Sequence, residues 1–255
     1  MRKITCILLM FCFAISGAIA QEQVNISRFE GKKITGIEAS GAFKITAKQG
    51  ESTGVTVSIP ARFEKQLELT LSPDGTLLIT MKGKINGKKN DKFTAEVTLS
   101  TLENIELTGA SSLALPETIT TNHLTAKIVG ASSLYTYNTI QIKQEIQLTL
   151  AGASTFSGEI SVPNASFEVS GASKLKLEGK CTEAYVKLTG ASKANLGSFI
   201  IDKAEIQASG ASHINLQVLK ELRAEASGAS SITYSGDPKT TNRNATGASK
   251  IKKSN

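Results

Sequence analysis

Tyr185-Val186-Lys187-Leu188-Thr189-Gly190-Ala191-Ser192-Lys193-Ala194-Asn195-Leu196 is one copy of the pattern that decides the fold: an alternating apolar stretch, a Gly-Ala-Ser tripeptide, and a second alternating stretch. The tripeptide occurs eight times, beginning at Gly109, Gly130, Gly152, Gly171, Gly190, Gly210, Gly228 and Gly247. Successive glycines lie 21, 22, 19, 19, 20, 18 and 19 residues apart. A period this regular marks a repeat architecture in which each unit is completed by its neighbours, and makes the eight glycines structural residues of the repeat.

The flanking residues identify the unit. Two positions before the glycine stand Leu107, Ile128, Leu150, Val169, Leu188, Ala208, Ala226 and Ala245; four positions after it stand Leu113, Leu134, Phe156, Leu175, Ala194, Ile214, Ile232 and Ile251. Position minus four is apolar in every copy but the last, where Arg243 stands. The opposite parity is polar, with Glu106, Lys127, Thr149 and Glu168 opening one column and Ser112, Ser133, Thr155 and Lys174 another. A period of two with one wet side is the signature of half-buried strands. Units of about 20 residues with one buried face predict an all-β chain, a parallel β-helix or solenoid whose coils pair at roughly 4.8 Å. By this count the glycine and the serine share the buried parity. The tripeptide then reads as a small-residue ladder lining a tight corner, and the serines as an internal hydroxyl stack, each donating to one neighbour and accepting from another.

Composition sets outer limits. The 255 residues are 40% hydrophobic, and Lys+Arg exceeds Asp+Glu by 29 to 22. Arg2 and Lys3 precede an apolar run from Ile4 to Ile15, and Ala18-Ile19-Ala20 fits a small-x-small cleavage site, so residues 1–20 read as a secretory signal peptide with the mature chain from Gln21. Removing it takes Cys6 and Cys12 and leaves Cys181, which cannot form an internal disulfide and reads as a buried or half-buried filler. No later segment reaches the ~18 apolar residues of a membrane-spanning helix.

Before the first tripeptide the pattern loosens. Ile37, Ala39, Gly41, Phe43 and Ile45 keep the parity, so this stretch reads as a degenerate copy, with Phe43 in place of serine, that starts the stack. Strand-like runs at 54–59, 67–71, 77–81 and 93–99, punctuated by Pro73-Asp74-Gly75 and by residues 83–91, predict an inserted region of antiparallel hairpins near the N-terminus. The chain divides into the signal peptide (1–20), a first coil with a hairpin cap (21–103) and a β-helix repeat domain (104–255). Lys250, Lys252 and Lys253 at the far end are charges of the kind that discourage edge pairing.

A hairpin region followed by recurrent Ser/Thr-Gly-Ala-Ser units, as in Thr189-Gly190-Ala191-Ser192 and Ser209-Gly210-Ala211-Ser212, resembles the putative auto-transporter adhesin family with a head GIN domain, common in Bacteroidetes. The resemblance covers most of the mature chain. It implies a right-handed β-helix and an exported location, in the periplasm or on the outer cell surface, and carries no catalytic residues to transfer.

The residues themselves argue against several activities. Eight serine nucleophiles would each need a general base, and the chain has two histidines. Asp occurs only at 74, 91, 202 and 237, never as a pair, and Glu106, Glu168 and Glu225 are interleaved with Lys127 and Lys187 as in a salt-bridged surface. His123 and His213 lack a partner at metal-ligand spacing, so no metal or cofactor is expected. The basic stretch from Lys82 to Lys89 reads as a solvated loop able to attract anionic glycans or lipid head groups, with no nucleic acid expected for an exported chain. Two functions remain. One is an envelope or surface binding module whose ligand-facing column of Ser112, Ser133, Thr155, Lys174, Lys193 and His213, with Tyr135 beside it, meets an envelope glycan, an extracellular polymer or a surface protein. The other is a periplasmic structural or envelope-maintenance repeat with no dedicated ligand. Oligomerisation is left open.

Overall fold

The computed structural model describes residues 22–254; the leader reading, with Cys6 and Cys12, lies outside them. From Asn104 onward the chain winds as a parallel β-solenoid of coils about 20 residues long, as the spacing predicts. Ser133–Leu150 pairs in parallel with Thr155–Val169, and the ladder continues through Lys174–Leu188, Lys193–Ala208 and His213–Ala226. Register shifts, for example after Tyr135 and Gln141, divide the coil into three paired segments. One face follows the tripeptide, one precedes it, and one lies between.

Alternation sorts the side chains. Leu113, Leu134, Phe156, Leu175, Ala194, Ile214 and Ile232 stack as one buried column in successive coils. A single core runs from Ile34 to Tyr234, and Phe167 and Phe199 meet within it at a centroid distance of 6.2 Å.

The corner differs from its sequence reading. The tripeptide glycines are left-handed, with φ between +69° and +81°, and almost all are exposed, as are the alanines beside them; the serines return to the core. Parity of two holds only while residues stay extended, and the left-handed glycine breaks it. The corners still stack closely. Alanine amides from Ala110 to Ala229 each donate to the glycine carbonyl of the coil beneath at 2.7–2.8 Å. A Cβ on any of the eight glycines would lie 2.5–3.2 Å from the oxygen of the preceding glycine.

The serine stack is also corrected. Only Ser154 and Ser173 join hydroxyl to hydroxyl, at 3.2 Å. Elsewhere the hydroxyl turns to carbonyls: Ser230 Oγ lies 3.0 Å from the Ala208 oxygen and 2.8 Å from the Ser227 oxygen, and Ser249 repeats the pattern. The Ala208 oxygen already accepts the Ser227 amide, so the serine fills its second lone pair. Ser132 and Ser212 have buried hydroxyl oxygens without a partner.

The degenerate copy exists, but it does not start the stack. Gly41 lies under Gly109, and Phe43 holds the serine position, its carbonyl accepting the Ser112 amide at 2.8 Å. On its other side, Gly36–Ala39 pairs in parallel with Thr76–Met81, and Lys44–Gln49 with Thr94–Leu99. The Gly41 coil is therefore sandwiched between a later coil (76–99) and the repeats. Residues 83–91 are consequently no hairpin turn but the long corner loop of this outermost coil. The one true hairpin predicted there is Leu67–Leu71 with Thr76–Met81. Gly54–Pro60 runs antiparallel to Thr94–Leu99, and Gln23–Arg28 adds outside it. These strands and Phe63, buried in the 3₁₀ turn Ala61–Gln66, close the N-terminal mouth of the core.

At the other end, the polar exception at minus four has a role. Arg243 lies over the Tyr234 ring at 5.9 Å and donates to its hydroxyl at 3.2 Å, covering the last apolar layer with a group that tolerates water.

Two comparisons test the corner. Gly31 is left-handed (φ +69°) with nothing within 4 Å of an added Cβ, whereas a Cβ on Gly171 (φ +72°) meets the Gly152 oxygen at 2.5 Å. Gly31→Ala should cost about 1–2 kcal/mol in denaturant unfolding, and Gly171→Ala clearly more; equal costs would mean the corners do not depend on close approach. Ser230→Ala should lose about 1 kcal/mol, and Ser132→Ala close to nothing, since its hydroxyl has no bond to lose.

Candidate binding face

The predicted column is brought together. Ser112, Ser133, Thr155, Lys174, Lys193 and His213 occupy paired positions on successive coils of the face that follows the tripeptide. Lys44 precedes them, and Ser231 and Lys250 continue the line. Tyr135 stands one column over on the same face, 40% exposed, in line with Ser157, Lys176, Asn195 and Asn215. Hydroxyls thus occupy Ser112 to Thr155 of the line, and the adjacent lysines Lys174 and Lys193 follow them.

Electrostatics separates this face from the one preceding the tripeptide. Lys174 and Lys193 are exposed, sit on adjacent strands about 4.8 Å apart, and form no ion pair among the described residues. Like charges directly opposite repel, so the face holds a positive potential that it does not neutralise. Lys176 alone in this cluster has a counter-ion, Glu178 at 3.7 Å.

On the preceding face several charges are paired. Lys127 bonds Glu106 at 2.8 Å, Lys203 bonds Glu183 at 3.1 Å, and Arg223 approaches Glu225 at 4.0 Å. The hydrogen-bonded carboxylates of Glu106 and Glu183 raise the Lys127 and Lys203 pKa values. Of the interleaved charges singled out in the sequence, Glu106 and Lys127 pair as expected and Glu225 turns to Arg223 instead, while Glu168 and Lys187, aligned on adjacent strands, form no ion pair among the described residues. A shallow groove of about 660 Å³ runs across it, with Tyr185 half-buried and bonded to Gln207 at 3.2 Å. Sequence reasoning passed over Tyr185, although position minus five has the same outward parity as minus three.

The remaining reactive side chains are accounted for by their surroundings. The tripeptide serines from Ser111 to Ser230 are buried. His213 is exposed in its column, and His123 lies 4.0 Å from Glu103 on the surface. Cys181 is buried, as expected for a filler; its thiol lies 3.1 Å from the Glu183 carbonyl, and burial pushes its pKa from 9.0 up to about 12.

The sequence family described as "Putative auto-transporter adhesin, head GIN domain" matches residues 33–238. Among solved structures, the chain is similar to a protein described as a putative lipid binding protein from Parabacteroides distasonis, with a TM-score of 0.84 and 17% identity over 92% of this chain and 98% of that one. It is also similar to a putative adhesin from Parabacteroides merdae (TM-score 0.82, 15% identity, the same 92% and 98%). A putative adhesin from Parabacteroides distasonis matches at a TM-score of 0.82 and 13% identity, again over 92% and 98%. At these identities the likeness concerns the fold. No curated protein matches the chain.

Cys181 gives a check on burial. At pH 8 the folded protein should leave it unlabelled by a thiol reagent, scored by peptide mapping, and denaturant should expose it fully. Because the folded thiol keeps its proton above the unfolded value of 9.0, stability should be unaffected below about pH 9 and decline as pH rises from there toward 12. Rapid labelling of the folded state would contradict the packing around it.

Proposed function

Since the chain belongs to the family described as "Putative auto-transporter adhesin, head GIN domain", we propose that it is an exported, non-catalytic binding module of the cell envelope or cell surface, holding an extended anionic polymer along the face that follows the tripeptide. The observation that carries this reading is the pair Lys174 and Lys193, aligned, exposed and without a counter-ion among the described residues, in line with His213 and Lys250. A column in register along the solenoid offers contacts every ~4.8 Å, a spacing suited to a chain-like ligand. Single exposed charge contacts are weak; repeated ones on one polymer gain from effective concentration. Ser112, Ser133, Thr155 and Tyr135 would add neutral hydrogen bonds at the other end. An acidic envelope glycan, an extracellular polysaccharide or an acidic surface protein each has the required chemistry.

Export rests on the leader-like residues 1–20 and on the family's character. Among the described residues no helix is long and apolar enough to cross a membrane.

A structural role is favoured by one observation, the unbroken stacking of glycine corners from Gly41 to Gly247, which makes a stiff rod. The two readings part experimentally. Lys174→Glu with Lys193→Glu should weaken retention on an immobilised acidic polysaccharide at least about tenfold with an unchanged melting temperature, and wild-type retention should fall as salt rises. Undiminished retention by the double variant would sink the binding reading and leave the rod. Protease digestion of intact cells, compared with cells whose outer membrane is permeabilised, then places the repeats outside or in the periplasm.

A further inference from the structure

The corner ladder ends at Gly41, and what lies beyond it is unlike any other corner. In seven of the eight tripeptide coils above, from Ala110 to Ala229, the alanine amide after the glycine donates to the glycine carbonyl beneath. Beneath Gly41 there is no glycine, because residues 82–93 of the outermost coil leave the stack as a long loop. The Ala42 amide, which by the ladder's direction faces this loop, has no hydrogen-bond partner among the described residues. Between loop and corner lies a cavity of about 610 Å³, whose lining includes Ala42, the apolar Met81, Ile85 and Phe93, the basic Lys88 and Lys89, and one acidic residue, Asp91. Its size falls among small-ligand sites, roughly 300–1,000 Å³.

The loop is held in place from below. Arg62 pairs with the Asp91 carboxylate at 2.5 Å, and the same carboxylate accepts the Lys88 amide. Phe93 packs on Phe43 and Phe63 at centroid distances of 5.8 and 5.6 Å. The loop's one acidic side chain is thereby occupied, while it carries Lys82, Lys84, Lys88, Lys89 and Lys92. Lys82 is matched by Glu68 at 3.3 Å; Lys88 and Lys89 at the cavity have no ion pair among the described residues.

We propose that this cavity is a second binding site, independent of the basic face, for an anionic amphiphile: a phosphate or carboxylate head on an apolar body. The head meets the Ala42 amide and the Lys88 and Lys89 ammonium groups, a combination of fixed dipole and charge that suits an anion. The body lies against Ile85, Met81 and the exposed parts of Phe93, where an apolar surface stays half-open to water.

Isothermal titration of the full chain with monomeric dodecyl phosphate tests this, with inorganic phosphate and dodecyl maltoside as the head-only and uncharged comparators. Dodecyl phosphate should bind at least about tenfold more tightly than either. Lys88→Glu with Lys89→Glu, and separately Ile85→Asp, should each weaken it by a similar factor at an unchanged melting temperature, while Lys174→Glu with Lys193→Glu should leave it intact. Absence of binding, equal binding of inorganic phosphate, equal binding of dodecyl maltoside, or full affinity in the loop variants would overturn the proposal. Loss in the Lys174/Lys193 variant would show that the amphiphile sits on the basic face instead.

Discussion

Every coil must reverse direction at a point where its backbone touches the backbone of the next coil. The strands set the rise at about 4.8 Å, and at that rise the corner has no space for a Cβ: the carbonyl of one glycine lies where the side chain of the next would start. A left-handed conformation adds a second demand that the same residue meets. Because each corner from Gly109 to Gly228 is pinned to the one below through an alanine amide, the strands on either side begin in register, and outward side chains fall into straight columns. Both the core stacking and the outward columns are consequences of the corner.

The same register produces two surfaces of opposite electrostatic character. On one, neighbouring coils alternate in sign and pair, as at Glu106 with Lys127 and Glu183 with Lys203. Exposed pairs of this kind contribute about 0–1 kcal/mol each, so their larger effect is to flatten the potential. On the other, Lys174 meets Lys193 and the potential remains. Net charge alone does not distinguish these surfaces; the arrangement of charge along the columns does.

How far the sequence could be read depends on what period-two patterning encodes. It specifies which face of a strand is buried, and it located the coils, the apolar columns and even Phe43 in a serine's place. It does not specify which strand lies next door. The runs at 77–81 and 93–99 were therefore recognisable as strands, and 77–81 does form its hairpin with 67–71, but their parallel pairing with the Gly41 coil was not legible. Parity also misplaced the glycines, because a left-handed residue interrupts the alternation it was used to count. Arg243 was visible as an exception, and its reason appears only with Tyr234 in place beneath it. The cavity beside Ala42 depends on a missing neighbour, which no local pattern records.

The sandwiching of the Gly41 coil has a consequence for how the molecule comes into being. Both edges of that coil are open strands until Thr76–Leu99 has closed one and Asn104–Leu115 the other. The coils therefore cannot be laid down one after another from this end; the strands from Gln23 to Leu115 must assemble together through non-local pairings, the slow kind. After that, each coil finds a finished template directly beneath it, and growth becomes local and directional. The N-terminal region is thus the seed of the rod as well as its cap.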